Sequence, residues 1–280
     1  MTIRFSRPRA ALLAAILSIS AASAPPPVTA PPLTYADLAD LADAADLVVH
    51  VQVAKQIALP PERATNVPRG FTRLYMEART KALLAGSAPL GGSVRYLVDV
   101  PVDPKGKPAK LKKREFLLFA RPVPGRPSEL QLIGPTAQIA YDPALAARLR
   151  PILGELAAAD AAPTITGVRD ALAVPGTLVG ESETQIFLGT ASGDPVSLTV
   201  VRRPGIDPAW GVSYSEIVDQ AARPPAPGTL AWYRLACFLP GQLPRGANLS
   251  QDPASRGRAA ADYAFVLQQL GPCPRTLARQ

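Results

Sequence analysis

The sequence predicts a mostly β chain with helices, in which an antiparallel barrel is followed by an α+β domain that ends in a helix pair. Three observations carry this. Strand-like segments at 46–54, 72–80, 93–100, 115–121 and 130–133 are separated by Pro-rich or Gly-rich connectors. A hairpin pattern occupies 184–202, and two helices with recognisable caps close the chain.

Residues 35–45 (YADLADLADAA) read as a short amphipathic helix running into the strand 46–54, where Leu47, Val49, Val51 and Val53 share one face by period-two alternation. After the fifth strand, Asp142 and Pro143 are a helix N-cap and first-turn proline. Leu145, Leu149, Ile152, Leu153 and Leu156 then recur at helical spacing, and Pro151 is expected to kink or break the rod. The alanine-rich stretch 157–163 reads as a domain boundary. Residues 164–174 fit a short helix or a strand. The hairpin joins 184–190 to 195–202 through Ala191-Ser192-Gly193-Asp194, and Trp210, Val212 and Tyr214 alternate as a third strand. The last helices are 230–238, capped by Thr229, and 253–270, capped by Asp252 and stopped at Gly271. Tyr263, Val266, Leu267 and Leu270 are the buried stripe expected of the second.

The amino terminus has the layout of a secretory signal peptide: Arg4, Arg7 and Arg9 precede an uncharged run that closes on Ala22-Ser23-Ala24. Its apolar part, 10–22, is shorter than the roughly 20 residues of a membrane-spanning helix. Cleavage after Ala24 would leave Pro25 first, so cleavage after Ala22 is an alternative, and no cysteine follows either site to take a lipid. The expected organisation is a signal peptide at 1–24, a Pro-rich spacer at 25–34, the barrel at 35–160 and the α+β domain at 164–280. The mature chain is expected in the periplasm or secreted, without a transmembrane segment.

The run ADLVVHVQV (45–53), RLYMEARTKALLAG (73–86), SVRYLVDV (93–100) and EFLLFAR (115–121) resembles the OB-like barrel of netrin-like and related exported modules. The resemblance implies an OB-type barrel and a binding role. This chain lacks the cysteines of animal netrin-like domains, so inhibitor activity is not implied. The C-terminal half, with its GESETQIFL segment (180–188), and with it the chain as a whole resemble conserved exported bacterial proteins of unknown function, which adds no mechanism.

Cys237 and Cys273 leave no odd thiol, and in an exported chain they are expected to form a disulfide joining the helix pair. They are not a CxxC pair and the single histidine is distant in sequence, so no metal site and no cofactor is expected. HExxH, GxSxG, GxGxxG and the Walker loop are absent, which disfavours the familiar hydrolase and nucleotide-dependent classes. His50 has no acid or nucleophile nominated beside it and reads as a surface or edge histidine. Paired carboxylates can hydrolyse glycosides without a local signature, so Glu181, Glu183 and Asp194 around the hairpin are the catalytic candidates, against a reading as solvated loop residues.

The formal charge is +8, which falls to +5 without the three amino-terminal arginines. Lys105, Lys107, Lys110, Lys112, Lys113 and Arg114 account for all of that, leaving −1 on the remainder. A distributed basic face is missing and the cluster holds no aromatic residue to stack bases, so nucleic acid is not the expected partner. The loop is instead a candidate for binding anions, against a reading as a flexible hairpin tip. The favoured function is therefore noncatalytic binding of an anionic envelope component or a partner protein. The alternatives are a carboxylate-dependent, glycosidase-like hydrolase and a structural envelope component.

Overall fold

The computed structural model describes residues 1, 32–215 and 222–277. Met1 apart, the expected signal peptide and the spacer as far as residue 31 lie outside the described residues. The first element is α1 (Tyr35–Ala44), started by a capping box in which the Thr34 hydroxyl accepts from Asp37 N and the Asp37 carboxylate accepts from Thr34 N.

The chain then forms β1 (Leu47–Ala58), β2 (Phe71–Ala85), β3 (Ser93–Pro101), β4 (Glu115–Val123) and β5 (Arg126–Leu132). Their order is β1-β2-β3-β5-β4, and β4 pairs back to β1, so the sheet closes into a five-stranded barrel. All pairs are antiparallel except β3–β5, which run parallel through Arg95↔Glu129 and Tyr96↔Leu130. This is the order of an OB-type barrel, with one parallel pair where the sequence led us to expect antiparallel pairing throughout. Period-two alternation puts Leu47, Val49, Val51 and Val53 inside, against Leu74, Met76, Val94, Val98 and Leu118. β1 and β2 outrun the residues expected for them because backbone pairing continues to Ala58↔Leu74 and Val48↔Ala85 after the burial alternation has faded. A short β6 (Gln138–Ala140), too brief to show a period, pairs with β4.

Next comes α2 (Pro143–Ala157), capped by Asp142, which runs through Pro151 without breaking. Both Pro151 and Ala147, whose carbonyl the proline leaves without an N–H partner, lie on the exposed side, where water can satisfy the freed group. The ambiguous stretch 164–174 is a strand, β7 (Ile165–Pro175). With β8 (Ser182–Thr190), β9 (Val196–Arg203) and β10 (Ile206–Ser213) it makes a four-stranded antiparallel sheet in the order β10-β9-β8-β7. Then α3 (Leu230–Ala236) and α4 (Pro253–Leu270) follow, capped by Thr229 and Asp252 as expected, with Gly271 ending α4 at φ 70°.

The helices fill the space between the two sheets. One apolar cluster joins α1 (Leu38, Leu41), the outer barrel wall (Val48, Leu117, Phe119), α2 (Leu149, Ile152) and the inner face of the second sheet (Ile186, Leu198). It also takes in Tyr233 of α3 and Tyr263 of α4. Residues Pro32–Gln280 form one compact unit, so the connection at 157–163 marks a change of sheet inside a continuous core. Asp262 of α4 is fully buried, accepting from the Thr184 hydroxyl and the Arg202 guanidinium of the second sheet. Cys237, at the end of α3, is bonded to Cys273 beyond α4, with Cα atoms 5.2 Å apart.

Candidate functional site

The barrel carries a groove on its β2–β3 wall. Outward positions alternate with the core positions Leu74, Met76, Tyr96 and Val98, so Arg73 and Tyr75 of β2 and Arg95, Leu97 and Asp99 of β3 share the outer face. Because β3 and β5 pair over only two residues, the wall opens there into a depression of about 750 Å³. Glu129 and Gln131 of β5 bound one side, and Asn66 and Pro68 of the β1–β2 connection lie on its rim.

Its charges are ordered. Arg73 holds Asp99 with two hydrogen bonds, Nε to Oδ1 at 2.7 Å and Nη2 to Oδ2 at 2.8 Å, and Nη1 reaches Thr65 O at 3.2 Å. That clamp raises the Arg73 pKa and ties the connection to the barrel wall. Arg126 pairs with Glu129 at 3.1 Å. Arg95 faces Glu77 and Glu129 in register, yet among the described residues it makes no ion pair, and it is exposed. Below the surface Tyr96 donates to Gln138 Oε1 at 2.8 Å, and burial pushes its phenol pKa up. A free guanidinium, the half-buried Tyr75 ring and Leu97, 46% exposed, therefore line one open groove. Such a set can hold a ligand that offers hydrogen-bond acceptors beside an apolar face. The only sign in the sequence was a leucine, Leu97, in the outward phase of an otherwise regular strand.

The expected carboxylates lie elsewhere. Glu181 accepts from Thr177 N at 3.1 Å and Leu178 N at 3.2 Å, fastening the turn between β7 and β8. Glu183 is exposed on β8 and accepts from Gln185 Nε2 at 2.9 Å. Both border an open concavity of about 600 Å³ with Leu172, Val174 and Arg203. Asp194 is not brought to them: it sits in the turn at the opposite end of the β8–β9 hairpin, accepting from Ser192 Oγ at 2.6 Å. The six basic residues are all exposed on the loop between β3 and β4.

His50 is neither on an edge nor free on the surface. It lies on β1, between β2 and β4, with its ring stacked on Tyr141 at 3.7 Å and its Nε2 2.8 Å from Glu115 Oε2. Glu115 also accepts from Gln52 Nε2 at 3.3 Å, and Lys81 Nζ is 3.9 Å away. The β1–β4 register creates this cluster, which no local spacing could reveal.

A depression of about 210 Å³ beside α1 is bordered by Asp37, Asp40 and Asp43, but each is committed to the fold. Asp37 accepts from Thr276 and Leu277, Asp40 from Tyr233 and Arg275, and Asp43 from both Arg234 Nη atoms. Burial raises the Asp37 pKa, but the hydrogen bonds from Leu277, Thr276 and Thr34 outweigh it and hold the carboxyl at about 2.

No family profile matches this chain, and no curated protein matches it.

Proposed function

We propose that this is an exported, noncatalytic binding protein that holds an extended, acceptor-rich envelope component in the groove on the β2–β3 wall. The observation that carries the reading is the groove itself, on the face that OB-type barrels use for oligomeric ligands, where Arg95, which makes no ion pair among the described residues, stands beside Tyr75 and Leu97. Its volume of about 750 Å³ is within the range of ordinary ligand sites. Export is supported by the amino-terminal layout and by the Cys237–Cys273 disulfide, a bond that persists in oxidising compartments. No helix among the described residues is long and apolar enough to cross a membrane.

The test is an NMR titration of the protein with glycan and peptide fractions released from its native envelope. Shifts should cluster at Tyr75, Arg95, Leu97 and Gln131, and Tyr75→Ala should weaken the active fraction about tenfold. Shifts confined to Glu181, Glu183 and their neighbours, with turnover of the fraction lost in Glu183→Gln, would establish the hydrolase reading instead. That reading is favoured by the one concavity the two glutamates share.

A further inference from the structure

We propose that the loop between β3 and β4 is a second, separate interaction surface, which docks the protein on a membrane rich in anionic phospholipid. Four observations converge on it. First, the loop is anchored. Leu111, 8% exposed, packs into the barrel core, its N–H donates to Gln56 Oε1, and Gln56 Nε2 donates to Ala109 O at 3.0 Å. Lys113 N donates to Val53 O at 2.8 Å and Val53 N to Arg114 O at 2.9 Å. These bonds hold Lys113 at φ 70°, a left-handed conformation uncommon for a residue with a side chain. A flexible tip would need none of this.

Second, the cations are left without counter-ions. Among the described residues none of Lys105, Lys107, Lys110, Lys112, Lys113 and Arg114 makes an ion pair, and all six are exposed. Of the two carboxylates that flank the loop in sequence, Asp103 accepts from the backbone N–H groups of Lys105 and Lys107 but makes no ion pair with their ammonium groups, and Glu115 serves His50, Gln52 and Lys81. Holding six like charges together raises their mutual repulsion, which an anionic partner would relieve.

Third, two further exposed arginines lie on backbone next to the loop's hydrogen-bonding partners. Val102 N donates to Gly70 O, beside the exposed Arg69. The exposed Arg79 is the β2 partner of Gln52, which in turn reaches Lys113 O. Fourth, the shape suits a flat array of charges: no residue of the loop borders any of the three depressions described above. Five of the six cations are lysines, whose ammonium groups act as point charges and not as planar forks for a single carboxylate. With Leu111 turned inward the loop offers no large apolar side chain to insert, so contact is by electrostatic adsorption.

The protein with its native amino terminus is sedimented with vesicles of phosphatidylcholine containing about one-third phosphatidylglycerol, and with vesicles of phosphatidylcholine alone. Binding to the first only, weakened at least about tenfold by salt that shortens the Debye length from about 30 Å to about 3 Å, is the expected result. Replacing Lys105, Lys107, Lys110 and Lys112 with serine should weaken it at least about tenfold without lowering the melting temperature, and the same four changes to arginine should preserve it. Equal binding to both vesicles, binding to neither, or affinity for soluble dextran sulfate without affinity for vesicles would overturn the proposal. So would serine variants that fold and bind undiminished. Tyr75→Ala should leave vesicle binding unaltered, which separates failure here from failure of the groove.

Discussion

Asp37, Asp40 and Asp43 stand three residues apart on α1, while Lys105 to Arg114 hold six cations within ten residues of one loop, and the fold treats the two clusters oppositely. Every aspartate of the helix is satisfied from elsewhere in the chain. Arg275, Thr276 and Leu277, just beyond Cys273, cover Asp40 and Asp37, and Arg234 of α3 forks onto Asp43 at 2.6 and 2.7 Å. Among the described residues the loop cations receive no such partners, although the loop backbone is tied to β1 through Leu111, Lys113 and Arg114. A charge cluster in a sequence is therefore ambiguous until its partners are known. The acidic row is consumed in joining α1 to α3 and to the carboxyl-terminal segment, and the basic row has no ion-pair partner among the described residues.

The largest expected effect comes from releasing the segment that covers the aspartates. Cys273 lies two residues before Arg275, so the disulfide fixes the approach of that segment to α1. Closing a separation of 36 residues contributes about 4 kcal/mol on the loop-entropy account. Replacing both cysteines with serine should lower the unfolding free energy by that order in urea titrations. A loss well under about 1 kcal/mol would mean that the acidic row holds the segment unaided.

Protonating the row should have a smaller effect. Asp37 is held at about 2 against an ordinary value of 3.8, so its folded-state pKa is depressed. Its contribution is fully present above pH 4, and is lost as the pH falls through the folded value near 2. Of order 1–2 kcal/mol is expected to disappear in that window. Asp37→Asn should lower stability at neutral pH and flatten the decline between pH 4 and 2, as followed by thermal melts. An Asp37→Asn protein with the same acid profile as the parent would show that other carboxylates set it.

How much of this could be read from the residues varies with the range of the interactions. The β1 alternation, the caps at Asp142, Thr229 and Asp252, and the cysteine pairing are short-range or compositional signals, and each matches what is observed. β7 was ambiguous because register shifts at Ile165/Gly167 and Val168/Asp170 break its period. The groove depends on the parallel β3–β5 closure, and the His50–Glu115 contact spans 65 residues, so neither leaves a local pattern. The acidic row was visible only as the polar positions of an amphipathic helix, because its partners lie some two hundred residues away.

The smallest effect, and the sharpest test of the contrast, belongs to the loop. If the cations have no structural role, replacing Lys105, Lys107, Lys110 and Lys112 with serine should change stability by less than about 0.5 kcal/mol, as for ordinary surface positions. Relief of like-charge repulsion should make the change stabilising at low ionic strength, and salt should erase the gain. Lys113 is a separate case, because its left-handed backbone would confound charge with geometry. Lys113→Gly isolates that geometry: it removes the strain at φ 70° and should be neutral or slightly stabilising despite the added freedom of the unfolded chain. Urea titrations of the fourfold variant at low and high salt decide the matter. A destabilisation above about 1 kcal/mol would place the lysines among the fold's own supports, like the aspartates of α1, and would remove the distinction between the two clusters.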